Sequence, residues 1–223
     1  MNPIILILDT ETNGLKGNEG KSAPDLIQLS WKLIDKNWDV VQEKNYYIKP
    51  YGFNILPEIE KIIGVSNEFV LENGVDLRRA IKEFKKDLLI SNYIVAHNIE
   101  FDLKVLQKAS YLGDGFKAIN IDRKICVCTM LETISFCNII DLTGIRKLKY
   151  PTLSELYKKL FKIDFDGAHN SYYDVSATCK CFIELVKKGV LCQELLEGKS
   201  LWNICDENKF EYYPQKYEPK NKV

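Results

Sequence analysis

The sequence predicts an α/β fold with a central mixed five-stranded sheet flanked by helices. Three observations predict it. An apolar run over residues 4–8 leads into two carboxylates one residue apart, Asp9 and Glu11, as a strand buried on both faces does where it surfaces. Two segments rich in β-branched and aromatic residues follow, split by a short polar turn. After them, helical periodicities alternate with short apolar runs.

The elements follow in order. Side chains alternate along a strand, so Asp9 and Glu11 point the same way. Asn13-Gly14 supplies turn chemistry and ends the first strand. Residues 16–25 are polar and contain glycine, as a loop does. Residues 26–34 and 40–48 read as the second and third strands, with Asp35-Lys36-Asn37 as a hairpin. Pro57 begins a short helix closed by Gly64. Asp76 caps a helix to residue 89, with Leu77, Ala80, Ile81, Phe84 and Leu88 at helical spacing. Residues 93–96 form a short buried strand. His97-Asn98 follows, then a helix with Phe101, Val105 and Leu106 inward. Residues 124–130 are the fifth strand. Pro151 opens a helix from its first turn, and Asn170 or Ser171 opens a long one to residue 188. The pattern weakens from residue 191, and residues 213–223 are polar. This predicts a domain over 1–190 and a tail over 191–223, with Trp202, Phe210, Tyr212 and Tyr213 packing the tail on the domain.

The 223 residues carry 31 Lys plus Arg and 31 Asp plus Glu, so there is no global field of either sign. A protein that coats duplex shows a basic excess, so any nucleic acid is expected in a local groove. The first apolar run is broken by Asp9 and lacks a basic flank, unlike a signal peptide. No stretch reaches the apolar length of a membrane span. Cys126/Cys128 and Cys179/Cys181 have C-x-C spacing, not the zinc-type C-x-x-C. Seven cysteines, read as reduced core thiols, point to the cytoplasm. Among the basic pairs, Arg78-Arg79, Lys85-Lys86 and Lys158-Lys159 read as solvated helix faces. Residues 146–149 form a basic loop on the motif side.

Three acidic signals fall where this fold brings chain segments together. Asp9 and Glu11 end the first strand. Asp102 lies one turn into the helix after His97-Asn98. Asp174 lies in the first turns of the last helix, five residues after His169. Taken singly, each has an ordinary reading. Asp9 and Glu11 could be an acidic loop, Asp102 and Asp174 could be acids favoured in helix first turns, and His169 could be a packing histidine. Together, acids converging on one cleft demand a cation.

The stretches Asp9-Thr10-Glu11-Thr12-Asn13-Gly14-Leu15, His97-Asn98-Ile99-Glu100-Phe101-Asp102 and His169 to Asp174 with Ala177-Thr178 resemble the three signature motifs of the DEDDh 3′→5′ exonucleases. That family includes the proofreading subunit of bacterial replicative polymerase, RNase T, oligoribonuclease and the three-prime repair exonucleases. The resemblance runs over residues 4–186, and residues 25–29 match the expected second strand. Ser171 and Val175 depart from it, since alanine is usual at both positions.

The resemblance implies an RNase H-like fold and two Mg²⁺ or Mn²⁺ ions, hard cations that demand oxygen ligands. It implies that Asp9 bridges both ions, that Glu11 and Asp174 bind the nucleophile-side ion, and that Asp102 serves the second. His169 would be the general base, and His97 would pack beneath the site. Thr10, Thr12, Gly14 and Leu15 would admit a 3′ end, with Leu15 wedged against the last base. Asn98 and Phe101 would hold the terminal nucleotide. The implied activity is 3′→5′ hydrolysis of nucleic acid, DNA before RNA and single strand before double, releasing nucleoside 5′-monophosphates. An exoribonuclease, or a catalytically weak nucleic-acid-binding protein of the same fold, is the alternative. Association with a polymerase, or with a second copy, stays open.

Overall fold

Strands β1 (Ile5–Thr12), β2 (Leu26–Ile34), β3 (Val40–Tyr47), β4 (Tyr93–Ala96) and β5 (Ile125–Cys128) form one sheet in the order β3-β2-β1-β4-β5. The computed structural model describes residues 4–15, 23–113, 118–122, 124–144 and 147–191. The first three strands pair antiparallel, and β1-β4 and β4-β5 pair parallel, so the sheet is mixed as expected. Most of the predicted loop at 16–25, the basic Arg146 and the tail with its four aromatics lie outside the described residues.

The apolar alternation of β1 builds two cores. Leu6 and Leu8 face helices α3 (Leu77–Ile90) and α4 (Ile99–Gly113). Ile5 and Ile7 face α7 (Leu153–Phe161) and α8 (Ser171–Lys187). Helices α1 (Pro57–Ile63) and α2 (Asn67–Asn73) bury a third small cluster against Ile27. Gly64 closes α1 in the left-handed region, φ 69°, and Asp76 caps α3 by accepting from the Arg78 N–H.

The first strand ends at Thr12, just before Asn13-Gly14 as its turn chemistry predicts, and both carboxylates lie inside it. Three expectations differ from the structure. Helix α2 was not predicted; seven residues with Val70 as the one buried side chain carry too little periodicity to read. The fifth strand stops at Cys128, because Thr129–Glu132 and Ile134–Cys137, helices α5 and α6, use the same apolar run. Pro151 precedes the cap of α7 and lies outside its first turn. Thr152 is the cap, in a reciprocal pair with Glu155.

On the α3 face of the sheet, fully buried Trp31 packs edge-on to Phe84 and donates its indole N–H to Asp87 at 2.8 Å. Gln42 and Lys44 meet the same carboxylate. Asp87→Ala leaves that indole without an acceptor and should cost about 1–3 kcal/mol. Denaturant unfolding measures it, and an unchanged midpoint would show that Asp87 is dispensable to this core.

Candidate active site

Strand alternation divides the first motif between the two faces of the sheet. Asp9 and Glu11 share the α8 face with Ile5 and Ile7. Opposite them on β2 stand Ser30 and Gln28. Asp174 reaches the same place from the first turn of α8. Carboxylate oxygens of Asp9, Glu11 and Asp174 lie within 4.8 Å of one another. Thr10 points to the other face, where its hydroxyl donates to Asp102 Oδ1 at 2.7 Å. Asp102 therefore stands beside the cluster, from α4, and is not one of the three converging groups. The Thr10 side chain, expected at the substrate, is committed to Asp102.

Burial and mutual repulsion dominate the electrostatics. Burial lifts Asp9 well above the usual carboxylate range, and Asp102, Asp174 and Glu11 add to the rise. Burial, then Asp174 and Asp102, raise Glu11 to about 8. Asp102 is raised to about 7 by burial, against the opposing Thr10 hydrogen bonds. Asp174 is raised to about 6 by burial, against backbone N–H groups of His169 and Asn170. A divalent cation supplies what this donor set lacks: it is all oxygen, concentrated, and strained by its own charge.

The two histidines differ in kind. His169 is exposed, in the left-handed region at φ 69°, and its backbone N–H donates to Asp174 Oδ2 at 2.9 Å. The His169 backbone is thus joined to the metal-ligand candidate by one hydrogen bond. His97 is enclosed, and burial takes it down to about 4. Its Nε2 donates to the Pro151 carbonyl at 3.0 Å, leaving Nδ1 to accept from the Thr129 hydroxyl at 3.0 Å. It is a neutral bridge from the end of β4 to α5 and α7.

The remaining predicted residues lie at the end of β1, in the turn after it, and where β4 leads into α4. Thr12 donates its hydroxyl to the Gly14 carbonyl at 2.6 Å, and Gly14 has φ 94°. Leu15 is 60% exposed. Asn13 pins this turn to the segment before α1, donating to the Asn54 carbonyl and accepting from the Leu56 N–H. Asn98 turns the chain at φ 76°, and its carbonyl accepts from the N–H of half-buried Phe101.

Sequence reading missed a polar platform under α8. Gln28, Ser30 and Lys32 on β2 stand opposite Tyr47, Asn45 and Glu43 on β3, on the face that receives the start of α8. Gln28 binds Asn170 and the Ser171 N–H. The Ser30 and Ser171 hydroxyls meet at 2.6 Å. Lys32 pairs with Glu43 and lies 5.5 Å from the Tyr172 ring centroid. The signal was present: polar residues alternate strictly along a strand otherwise apolar.

The raised carboxylates set a direction for stability. Their folded-state values lie above the ordinary 3.8 and 4.5, so the folded chain holds protons that the unfolded chain has released. That stabilisation is complete below about pH 4 and is lost as pH rises through 6 to 8. In EDTA the thermal midpoint should fall between pH 5 and 8.5. Mn²⁺ should raise it by an increment that grows with pH. A metal increment independent of pH would contradict the cluster as ligand set.

A family model described as Exonuclease, RNase_T, matches residues 6–182. The chain is 30% identical over 183 residues to the 3′-5′ exonuclease DinG of Bacillus subtilis, covering 82% of this chain and 18% of that protein. It is 26% identical over 198 residues to Ribonuclease T of Shewanella denitrificans, covering 82% of this chain and 80% of that protein. Escherichia coli exonuclease I, solved with a dA16 oligonucleotide, superposes with a TM-score of 0.68 at 18% identity, over 87% of this chain and 42% of that one. The chain therefore spans under a fifth of DinG and under half of exonuclease I, with which it shares the RNase H-like fold. With its three motifs on the elements described and its match over residues 6–182, the chain belongs to the RNase_T exonuclease family.

Proposed function

We propose that the protein is a divalent-metal-dependent 3′→5′ exonuclease that releases nucleoside 5′-monophosphates. The observation that carries this reading is the convergence of Asp9, Glu11 and Asp174, with Asp102 alongside, in a member of an exonuclease family. Asp9, Glu11 and Asp174 would hold one ion, and Asp9 with Asp102 a second, Mg²⁺ or Mn²⁺ in each case. When bound, such ions neutralise the phosphate and make water a stronger nucleophile.

The chain's own groups do the rest. His169, exposed at the edge of the cluster, accepts the proton of the attacking water in its neutral form. Its backbone N–H holds one oxygen of Asp174, leaving the other for the cation. Thr12, Gly14 and Leu15 form the wall that receives a 3′ end, and Asn98 and Phe101 border it. Stacking on Leu15 reads no base, so hydrolysis proceeds through any sequence. The substrate we favour is single-stranded DNA in the cytoplasm; exonuclease I has been solved with DNA oligonucleotides. The match to most of Ribonuclease T's length favours RNA as the second reading.

End-labelled single- and double-stranded DNA and RNA, digested with Mg²⁺, Mn²⁺ or EDTA, test the reaction. Mononucleotides should appear from the 3′ end only with metal, a 3′-phosphate should block, and Asp9→Ala should be the most damaging single change. Rapid cutting of circular single strands would overturn the exonuclease reading.

His169→Ala should lower the single-turnover rate by roughly 10²–10⁴ while preserving the thermal midpoint and substrate binding. A folded variant within a few-fold of the parent would remove the histidine from the reaction.

A further inference from the structure

We propose that Gln28 is a positioning residue for His169, acting through the two residues that follow the histidine. This rests on the reading of His169 as general base. Gln28 is fully buried in the middle of β2, directly across from Glu11. All of its amide is used. Oε1 accepts from the Ser171 backbone N–H at 3.3 Å, and Nε2 donates to Asn170 Oδ1 at 3.1 Å and Asn45 Oδ1 at 2.9 Å. The Ser171 N–H can only donate, so it determines which way the amide faces.

The two residues it grips form the joint between the histidine loop and α8. Asn170 caps the helix, its Oδ1 accepting from the Tyr172 N–H, while its Nδ2 donates to the Tyr47 hydroxyl at 3.4 Å. Ser171 is the first helical residue, and its N–H has no partner within the helix. Gln28 gives it one. On the other side of His169, Gly167 at φ 87° lies against the Tyr173 ring, so close that a Cβ would come within 2.7 Å. The histidine backbone is thus held before and after; the Ser30–Ser171 hydroxyl pair also ties it to the strand beside the one that carries Asp9 and Glu11, but Gln28 grips both residues that follow the histidine.

A hydrophobic residue would satisfy burial at this position. It would not satisfy direction. Deeper along the same interface, Val175, Phe182 and Leu185 pack on Ile5, Ile7 and Ile34, contacts that tolerate small shifts. Hydrogen bonds with three specified partners do not. A displacement of an ångström at a reacting group can cost about 10² in rate, so a support of this kind is read in turnover before it is read in stability.

The test is a double-mutant cycle on the full chain. Gln28→Met keeps the volume and removes all three hydrogen bonds. Single-turnover hydrolysis of a labelled oligonucleotide with Mn²⁺ is measured for the parent, Q28M, H169A and the double variant, with thermal midpoints alongside. Q28M should slow the parent roughly tenfold or more, with half-saturation unchanged within about twofold, and should slow H169A by less than about twofold. Equal slowing in both backgrounds would overturn the inference, because Gln28 would then act on the fold or on Asp174 and not through the histidine. A folded Q28M at the parent rate would overturn it too. The H169A arm reports on the general-base reading by itself: at the parent rate it would withdraw that reading and this inference together. If Q28M does not fold, Asn170→Ser, which keeps a helix cap but removes the amide partner of Gln28, enters the same cycle with the same outcomes.

Discussion

Four carboxylates crowded into a buried space are the constraint on which this structure turns. Each is raised by burial first, and Asp9 and Glu11 also by their neighbours. The fold divides the load by bringing the acids from both faces of one strand. Asp9 and Glu11 meet Asp174 on the α8 side, while Asp102 is held from the α4 side by Thr10. Donors are placed where the charge is. Asp174 sits in the first turn of α8, where the helix dipole favours a negative group, and accepts from the backbone of the loop before it. What the protein leaves uncompensated is the part that a divalent cation answers.

The two histidines in the chain show how burial assigns roles to one residue type. His97 is enclosed, neutral and bonded at both ring nitrogens, so it holds α5 and α7 to the end of β4. His169 keeps its ring exposed and uses only its backbone for structure. A left-handed backbone at a non-glycine residue is costly, and here it aims that N–H at Asp174.

The departures from the family pattern also have an account. Ser171 replaces the usual alanine and adds a hydroxyl to a buried site, which would be costly alone. Ser30 faces it at 2.6 Å and itself meets Asn45 at 2.9 Å, so the hydroxyl joins a satisfied chain. Val175 is larger than alanine, and it is buried in the apolar half of the same interface. Helix α8 therefore has two contacts with the sheet, polar at its start beside the cluster and apolar beyond.

The sequence carries the mixed sheet, both hairpin strands and the cap of α3 in local patterns, and it left the cap of α8 between Asn170 and Ser171. Alternation, helical periodicity and capping chemistry are local, and each is written in a few neighbouring residues. It also named the acids and both histidines, because their spacings are local too. The short helices α2, α5 and α6 were illegible, since four to seven residues leave periodicity ambiguous. Tertiary structure alone sets Asp102 against Thr10 on the α4 side, outside the three carboxylates whose oxygens converge, because no local pattern says how α4 lies on the sheet. Only it decided that Gln28 meets Ser171, residues 143 apart in sequence. No local pattern encodes which helix end a strand's polar stripe will receive; that depends on how α8 crosses the sheet.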